Sequence, residues 1–330
     1  MKICILGSGT WGSALANLLA GYKNEVFCWS KFDDEANSLN KTHIHKNLPN
    51  VQLDESIVFS SNIEECVKDS QLVVFAVPSS FIRTTADEFK KYYKHQLLVD
   101  VAKGIENNTF LTTSEIIEDV LNLKNEVVAL TGPTHAEEVA LKIPTCIVAS
   151  CQNEEKAELI QKIFHSECFR VYTNNDRKGS ELCGAFKNII AIACGISDGL
   201  GYGDNTKAAL ITRGVHELKN LGEKMNCNKD TFFGLAGLGD LIVTCTSKHS
   251  RNNTCGHYIG EGIEVNEAIK KVGMVVEGIA SLNAAVNLCS KYKIDMPIVL
   301  AVNEIVNNKK PPREVAAKLL LRGKKSEYIS

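Results

Sequence analysis

The chain has 330 residues, a length that accommodates two domains of about 150 residues each. Hydrophobic residues make up 44% of it and charged residues 23%, as in ordinary globular proteins. The formal net charge of −2 provides no broad attraction to nucleic acid or to acidic membranes, so we expect no nucleic-acid partner.

The amino-terminal half alternates short β-branched segments with amphipathic helical patterns. Strands are predicted at 2–6, 25–29, 72–77, 97–102, 126–130 and 145–150, with helices between them such as 11–22 and 80–93. The strands are rich in Val, Ile and Leu and alternate little, which is typical of strands buried on both faces of a sheet. This βαβ order predicts an α/β domain with a mostly parallel, doubly wound sheet over residues 1–177.

The first predicted strand runs directly into ILGSGTWGSALA, in which Gly7, Gly9 and Gly12 have the G-x-G-x-x-G spacing. Between a strand and a helix, these glycines allow a tight turn, a close approach of the backbone to a pyrophosphate, and close packing of helix on strand. The free N–H groups at the start of the helix favour phosphate oxygens. The spacing in this context predicts a Rossmann-like dinucleotide site.

The residues after the second predicted strand bear on which dinucleotide is bound. An Asp or Glu about 20 residues beyond the glycines would hold the ribose 2′-hydroxyl of NAD. The chain has Ser30 and Lys31 there, with Asp33 and Asp34 slightly later. Because a lysine can pair with a 2′-phosphate, the sequence leans towards NADP and leaves NAD open.

Residues that are uncommon in buried strands follow the ends of the later predicted strands. The third and fourth strands lead into Pro78 and Lys103, and the fifth leads into TGPTHAEE, with Gly132 and Thr134. Ligands of open parallel sheets bind beyond the carboxyl ends of the strands. We therefore expect these residues at the rim of one ligand site, with Lys103 as a candidate functional group.

Strand patterns stop after about residue 177. Helical patterns follow at 179–197, 206–225, 262–272, 275–293, 297–308 and 312–322, which predicts an all-α domain over residues 178–330. The first of these helices contains GAFKNII, which places Lys187 and Asn188 in an otherwise apolar stretch. A buried charge is costly unless it is paired or loses its proton, so Lys187 is a candidate functional residue.

A glycine-rich segment, GLAGLGDLIVTCT, precedes SKHSRNN. The glycines indicate a backbone folded tightly against its surroundings just before Asp240. SKHSRNN offers Arg251 and two asparagines, which we predict to share one loop. Arginine makes bidentate hydrogen bonds to phosphate, so this loop is a candidate site for a phosphorylated substrate.

Other classes of site are not indicated. Every run of about 18 residues carries charge or polar residues, so no transmembrane span is expected. The twelve cysteines form neither CxxC pairs nor a compact Cys/His spacing, and we interpret them as reduced core residues of a cytoplasmic protein. The HIH sequence at 43–45 lacks an evident third ligand, so no metal is expected.

The chain resembles the bacterial-type NAD(P)-dependent glycerol-3-phosphate dehydrogenases. The matching segments, in family order between residue 7 and about 278, are GSGTWGSALA, AVPSSFIR, VAKGIE, TGPTHAEE, GAFKNIIAIACGISDGLGYGDNTKAALITRG, GLAGLGDLIVTCTSKHSRN and VVEG. The resemblance implies hydride transfer between the nicotinamide and C2 of glycerol 3-phosphate, which interconverts this substrate with dihydroxyacetone phosphate. It also implies a role in supplying phospholipid synthesis, and relatives often form homodimers. Two positions depart from the pattern, because Ser8 stands where Ala is common and Lys31 where Arg or His is frequent.

The resemblance implies roles for individual residues. Lys187 matches the general base, Lys103 the lysine that polarises the same oxygen, and Asp240 the carboxylate beside them. The implied cofactor-binding residues are Gly7, Gly9, Thr10, Trp11, Gly12, Lys31, Pro78, Lys103, Ala136, Arg251, Val275 and Glu277. The implied substrate-binding residues are Lys103, Gly132, Thr134, Lys187, Asn188, Asp240, Thr244, Ser250, Arg251 and Asn252. Which of the two lysines carries the proton stays open.

Two alternatives remain at this point. One is a dehydrogenase of the same architecture that acts on a 2- or 3-hydroxy acid, whose substrate carries a carboxylate in place of the phosphate. The other is a non-catalytic NADP-binding sensor, which is disfavoured because Lys187, Lys103 and Asp240 are all present.

Overall fold

The structure is a computed structural model that describes residues 1–323 and 326–327. Over these residues eight strands form one sheet. They are β1 (Lys2–Leu6), β2 (Glu25–Trp29), β3 (Val58–Ser60), β4 (Leu72–Phe75), β5 (Leu97–Asp100), β6 (Val127–Thr131), β7 (Thr145–Ser150) and β8 (Phe169–Asn174). Their spatial order is β3-β2-β1-β4-β5-β6-β7-β8, and each neighbouring pair is parallel except β6 with β7. The predicted α/β class with a mostly parallel sheet is confirmed.

Helices connect these strands. They are α1 (Thr10–Ala20), α2 (Asp33–Thr42), α3 (Ile63–Val67), α4 (Ile82–Lys90), α5 (Thr113–Leu121), α6 (Ala136–Ala140) and α7 (Glu154–Phe164), with a 3₁₀ turn at Ser79–Phe81. The sheet is buried on both faces. In β1, Ile3 and Ile5 pack into one apolar cluster, whereas Cys4 and Leu6 pack into another. Alternate side chains of a strand point to opposite faces, so this division is what a sheet covered by helices on both sides requires.

The sequence did not predict β3 and β8. β3 has only three residues, and β8 alternates between buried and exposed positions at the edge of the sheet. Edge strands have one unpaired side, which lets polar residues alternate with apolar ones. The search for continuous apolar runs therefore missed both.

Helices make up the rest of the chain. They are α8 (Arg177–Gly199), α9 (Asp204–Lys224), α10 (Asp240–Thr246), α11 (Arg251–Gly260), α12 (Val265–Val272), α13 (Glu277–Ala280), α14 (Leu282–Tyr292), α15 (Pro297–Val306) and α16 (Pro312–Leu320). A 3₁₀ turn at Lys229–Phe233 and a π-helical turn at Leu235–Gly239 precede α10. The predicted helical carboxyl-terminal domain is confirmed, but α10 and α11 were absent from the predicted helices.

The chain divides into two compact units. The first comprises Met1–Ala185 and Cys227–Asp240, and the second comprises Phe186–Asn226 and Leu241–Ser330. The first unit is therefore completed by a segment that lies more than 40 residues downstream of its main part. Helix α8 contributes residues to both units, whereas the sequence placed the boundary after residue 177, at the start of this helix.

Within the second unit, glycines bring α8 and α11 into backbone contact. A Cβ added to Gly195 of α8 would lie 2.0 Å from the carbonyl oxygen of Asn253. On α11, a Cβ at Gly256 or Gly260 would lie 2.2 or 2.4 Å from a carbonyl oxygen of α8. Such distances are far below van der Waals contact, so the crossing of these helices requires glycine at all three positions.

Helix α8 is long and apolar enough to cross a membrane by length and composition alone. Its most apolar 18 residues have a mean hydropathy of 1.2, but 94% of that window is buried within the protein. The central helix of a globular core meets the same two criteria, and it is buried in the same way.

Helix α9 carries a buried acid. Glu217 of α9 is 4% exposed, and its carboxylate accepts hydrogen bonds from the backbone N–H groups of Ile298 (2.9 Å) and Val299 (3.5 Å) at the start of α15. Burial raises the pKa of Glu217 to about 8, although these backbone hydrogen bonds oppose the rise.

Candidate active site

The glycine fingerprint folds as its spacing predicted. Gly7 has φ of +124°, and a Cβ there would lie 2.8 Å from the backbone of Ala76. A Cβ on Gly12 would lie 1.9 Å from the carbonyl oxygen of Gly7, so helix and strand pack too closely for any side chain. At Gly9, by contrast, an added Cβ meets no atom of the described residues within 4 Å. The backbone at Gly9 is thus open to a ligand, and the space in front of α1 fits a dinucleotide pyrophosphate.

Thr10 and Trp11 begin α1 directly behind this open space, as the sequence indicated. The side chain of Asn47 donates to Thr10 Oγ1 at 3.1 Å, which fastens the segment after α2 to the fingerprint turn. Trp11 is partly buried against the apolar core. Both residues are therefore fixed at the start of the helix whose N–H groups face the ligand space.

Beyond the ends of β1 and β2 the structure shows a carboxylate that the sequence analysis missed. Glu35, in the first turn of α2, accepts hydrogen bonds from Ser8 Oγ at 2.6 Å and from Ser30 Oγ at 2.7 Å, both through Oε2. Lys31 Nζ forms an ion pair with Glu88 Oε1 of α4 at 2.6 Å and lies 5.7 Å from the ring centroid of Trp29. The only sequence signal for Glu35 was its distance from the glycines, and Asp33 and Asp34 were weighed in its place.

The remaining predicted cofactor residues lie at element ends. Pro78 precedes the 3₁₀ turn that follows β4, and Ala136 is the first residue of α6. Both belong to the first unit. In the second unit, Val275 is 41% exposed and Glu277 begins α13. Each of the four residues therefore lies where a strand or loop passes into a helix.

Lys103 is the centre of a polar cluster within the first unit. Its Nζ donates to Asp240 Oδ2 at 2.8 Å and to the carbonyl oxygen of Gly132 at 3.1 Å. Thr134 Oγ1 donates to the same carbonyl at 3.2 Å. The Lys103 side chain is 18% exposed and that of Asp240 is 1% exposed. The structure thus brings together four predicted substrate residues around one ammonium group.

Small residues make room for this cluster. A Cβ on Gly184 of α8 would lie 3.3 Å from Lys103 Cγ, so the bare backbone at this position accommodates the lysine side chain. A Cβ on Gly237 would lie 2.3 Å from the carbonyl oxygen of Phe232, and the π-helical turn around Gly237 leads straight into Asp240. The prediction that glycines mark a tightly folded backbone before Asp240 agrees with these distances.

A buried network of acids and hydroxyls shapes the turn that carries Lys103. Asp100 Oδ1 accepts from Ala102 N–H at 3.1 Å, and Thr113 Oγ1 donates to Asp100 Oδ2 at 2.5 Å. Glu181 of α8 accepts from the backbone N–H and the hydroxyl of Ser114 at 2.8 and 2.6 Å. Burial raises the pKa of both Asp100 and Glu181; the charge of Glu181 adds to the rise at Asp100, whereas the charge of Arg177 opposes the rise at Glu181. We missed this network because its residues are far apart in sequence.

Lys187 lies in the second unit and is buried. It is 6% exposed, and its Nζ donates to Thr244 Oγ1 of α10 at 2.8 Å. The predicted burial of this lysine is therefore confirmed, and a hydroxyl oxygen accepts one of its N–H bonds. The contact fixes the direction of the amine. A group that accepts a proton in a reaction needs such a fixed orientation.

Asn188, Asn252 and the start of α13 form a second chain of hydrogen bonds in this unit. Asn252 Nδ2 donates to Asn188 Oδ1 at 3.0 Å, and Asn252 Oδ1 accepts from Gly278 N–H at 2.9 Å. Ser250 caps α11 by accepting from the Asn253 N–H at 3.2 Å. The loop predicted for Arg251 and the two asparagines is wrong, because these residues form the first turn of α11. Arg251 is exposed there, while Asn252 is buried.

Among the residues that the structure describes, no group of three or more His, Cys, Asp or Glu side chains is arranged to hold a metal ion. All twelve cysteines are free thiols, and most of them are buried. Burial raises the pKa of several of these thiols, Cys4 and Cys28 among them, which favours the unreactive protonated form.

Comparison with known proteins places this geometry in a family. Two family models match the chain: the NAD-dependent glycerol-3-phosphate dehydrogenase N-terminus over residues 2–157 and the corresponding C-terminus over residues 176–317. The chain is 50% identical to glycerol-3-phosphate dehydrogenase [NAD(P)+] 2 of Lactobacillus delbrueckii subsp. bulgaricus, over 99% of this chain and 98% of that protein. It is 46% identical to glycerol-3-phosphate dehydrogenase [NAD(P)+] of Agathobacter rectalis, over 100% and 98% of the two chains.

A solved structure is similar throughout. The crystal structure of glycerol-3-phosphate dehydrogenase from Coxiella burnetii superposes with a TM-score of 0.92 at 34% sequence identity. The match covers 97% of this chain and 98% of the Coxiella chain. The likeness therefore extends over both the sheet-containing and the helical parts of the fold.

Proposed function

The chain belongs to the NAD-dependent glycerol-3-phosphate dehydrogenase family, and from this membership and its two buried lysine clusters we propose how its residues carry out the reaction. The enzyme is an NAD(P)-dependent oxidoreductase that acts on a CH–OH group, interconverting glycerol 3-phosphate and dihydroxyacetone phosphate. The observation that carries the proposal is the pairing of Lys103 with Asp240 in the first unit, together with Lys187 held by Thr244 in the second.

Lys187 is the general base of the proposed mechanism. In the oxidation of glycerol 3-phosphate, its neutral amine accepts the proton of the C2 hydroxyl while the C2 hydrogen leaves as hydride. In the reverse direction the ammonium returns that proton to the carbonyl oxygen. When bound, the nicotinamide supplies the acceptor or donor of the hydride. The hydrogen bond to Thr244 keeps the amine in one orientation.

Lys103 stabilises the negative charge that develops on the same oxygen. Asp240 and the carbonyl of Gly132 accept two of its N–H bonds, so the third is directed by the first two. A preoriented ammonium in a site sheltered from water stabilises an oxyanion without reorganising during the reaction. Asp240 therefore acts by positioning Lys103.

The other predicted residues divide between cofactor and substrate. We propose that residues 1–177 hold the cofactor and that residues 178–330 provide most of the substrate site. The residues proposed from family membership to bind the cofactor are the fingerprint glycines, Thr10, Trp11, Lys31, Pro78 and Ala136 of the first unit, and Val275 and Glu277 of the second. Thr134, Asn188, Ser250 and Asn252 hold the substrate hydroxyls and phosphate with Arg251, whose guanidinium suits a phosphate.

The decisive test of the substrate is a comparison of initial rates. Dihydroxyacetone phosphate and a panel of 2-keto acids are each offered with NADH and with NADPH, and absorbance at 340 nm is followed. We expect the phosphorylated ketone to have the highest kcat/KM by a wide margin. A preferred keto acid would overturn the substrate assignment in favour of a hydroxy-acid dehydrogenase, and no turnover of any substrate would favour a sensor.

The cellular setting is proposed from the same membership. We propose a cytoplasmic enzyme that supplies glycerol 3-phosphate to phospholipid synthesis, with a small-molecule substrate as its main partner. A homodimer is proposed because Leu320, the last residue of α16, and Leu321, which follows it, are 75% and 83% exposed. Sedimentation equilibrium on the full chain checks this, and a monomer at micromolar concentration would contradict it.

A further inference from the structure

We propose that Glu35 accepts the 2′-hydroxyl of the adenosine ribose, and that Glu88 competes with the 2′-phosphate of NADP(H) for Lys31, so that these two carboxylates set the choice between the cofactors. The inference rests on the proposed cofactor site but is independent of the substrate. Nothing in the family models or in the names of the relatives assigns a role to either residue.

The position of Glu35 supports its role. Ser8 follows β1 and Ser30 follows β2, and these neighbouring parallel strands end at the same edge of the sheet. In sheets with this glycine fingerprint, the adenosine ribose lies beyond the second strand, where an acid bonds its 2′-hydroxyl. The Glu35 carboxylate is bridged between Ser8 and Ser30, both at most 2% exposed, so it is held at this place although it comes from α2.

The two oxygens of Glu35 are not equivalent. Both serine hydroxyls donate to Oε2, and Oε1 accepts no hydrogen bond from the described residues. An ionised carboxylate has further acceptor capacity at such an oxygen. A ribose 2′-hydroxyl can donate to it, whereas a 2′-phosphate has little hydrogen to donate at neutral pH and adds negative charge beside it.

The charged and titratable groups around Glu35 leave this preference to Glu35 itself. Asp33 and Asp34 stand in the same first turn of α2 and are exposed, so water and salt screen their charges. The buried ring of His45 also lies near Glu35, and burial lowers the pKa of His45 while Glu35 opposes the fall. Around pH 7 this imidazole is therefore neutral in the main, and it does not offset the carboxylate.

Lys31 is the group that would favour NADP(H), and Glu88 holds it. Their ion pair is short, 2.6 Å, but the two side chains are 61% and 40% exposed. Exposed pairs are weak because water and salt screen them. A 2′-phosphate can therefore displace Glu88 from Lys31. Because the phosphate pairs with the lysine only after this displacement, the affinity that Lys31 adds for NADP(H) is reduced.

The test measures binding of the two reduced cofactors to the full-length chain without substrate. The increase in fluorescence of NADH and of NADPH on binding gives the two Kd values, and the readout is their ratio, Kd(NADPH)/Kd(NADH). For Glu35→Gln we expect the ratio to fall about ten-fold or more, because a charged hydrogen bond to the hydroxyl is weakened and repulsion of the phosphate is removed. Glu35→Ala should change the ratio in the same direction.

Asp34→Asn is the matched control, since it removes the same charge from the same helical turn without touching Ser8 or Ser30. Its ratio should stay within about two-fold of the wild type, as expected for a screened surface charge. A ratio unchanged in both Glu35 variants would overturn the role of Glu35. An equal shift in Asp34→Asn would also overturn it, because a general field would then account for the effect.

Glu88 is tested by a double-mutant cycle with Lys31. Glu88→Gln should lower the ratio about two- to five-fold, and the same change in a Lys31→Ala background should have no effect, because the competition needs the lysine. A shift that persists without Lys31 would overturn the role of Glu88. A wild-type chain that binds neither cofactor would contradict the proposed function, and that failure is separate from a failure of the selectivity inference.

Discussion

Two lysine–carboxylate pairs of the first unit have nearly the same length but opposite settings. Lys31 and Glu88 are 2.6 Å apart with side chains 61% and 40% exposed, whereas Lys103 and Asp240 are 2.8 Å apart with side chains 18% and 1% exposed. The longer pair is the stronger one, because water screens the exposed charges and leaves the buried ones to each other. Burial, and not distance, therefore decides which lysine is free to change partners.

This difference suits two ends of one cofactor site. At the proposed nucleotide end, a lysine that exchanges partners easily would permit either NAD or NADP to bind. At the proposed chemical end, a lysine that is fixed by Asp240 and by Gly132 would keep its direction throughout the reaction. On this proposal, selectivity is adjustable at the exposed pair, while catalysis depends on the buried pair.

The largest expected effect extends the comparison to Lys187, a buried lysine of the second unit. Lys187→Ala should lower kcat by about 10²–10⁴, because general-base catalysis of the proton transfer is lost. The Kd of NADH, measured by fluorescence without substrate, should stay close to the wild-type value. Turnover near the wild-type rate would refute the assignment of Lys187 as the base.

The two pairs can be compared directly through stability. Lys103→Ala removes the ammonium partner of the buried Asp240 carboxylate, and it should lower the free energy of unfolding by about 3 kcal/mol. Lys31→Ala should change it by less than about 0.5 kcal/mol, as for other surface substitutions. Urea unfolding at pH 7 measures both. Equal losses would show that burial does not distinguish the pairs.

Glu217 sharpens the comparison, since its carboxylate is held by backbone N–H groups where Asp240 is held by a lysine. Its pKa is raised to about 8 in the folded protein, so the folded state keeps its proton while the unfolded state loses it above its ordinary pKa near 4.5. The stabilising contribution is therefore complete below that pKa and is lost as pH rises towards 8. Relative to Glu217→Gln, the wild type should lose about 3 kcal/mol of unfolding free energy between pH 5 and pH 7.5.

Denaturant unfolding at a series of pH values checks this, and the glutamine variant serves as the reference because it cannot ionise. Parallel pH profiles for the two proteins would mean that backbone N–H groups hold the Glu217 carboxylate ionised. Backbone N–H groups would then stabilise the buried carboxylate of Glu217 about as well as Lys103 stabilises that of Asp240.

A smaller effect on the reaction is expected at Arg251, an exposed cation of the second unit. Arg251→Ala should raise KM for dihydroxyacetone phosphate about ten-fold, because a charged hydrogen bond to the phosphate is lost, and should leave kcat within about three-fold. Steady-state kinetics with saturating NADH measure both constants. An unchanged KM would place the phosphate contact elsewhere.

Much of the fold and part of the site could be predicted from sequence because local patterns determine them. The glycine fingerprint needs only a strand, a turn and a helix in succession, and Lys187 is visible because it interrupts an apolar helix. Strand β3 was not predicted because it is very short, and strand β8 was not predicted because it is a half-exposed edge strand. Helix α11 was not predicted because SKHSRNN has the composition of a loop, although Ser250 in this segment caps the helix.

Residues that act through distant partners could not be predicted. Glu35 becomes informative only when folding brings Ser8 and Ser30 to the same carboxylate oxygen. Asp100 and Glu181 share Thr113 across more than 60 residues of sequence, and no spacing indicates that contact. Such contacts depend on the order of strands in the sheet and on the packing of α8, which sequence periodicity does not specify.

The late segment Cys227–Asp240 has a consequence for protein synthesis. The first unit is complete only when this segment has joined Met1–Ala185. At about 5–20 residues per second, a ribosome needs roughly 3–11 s to add the 55 residues from 185 to 240. During that interval a nascent sheet carries Lys103 before its carboxylate partner has been made.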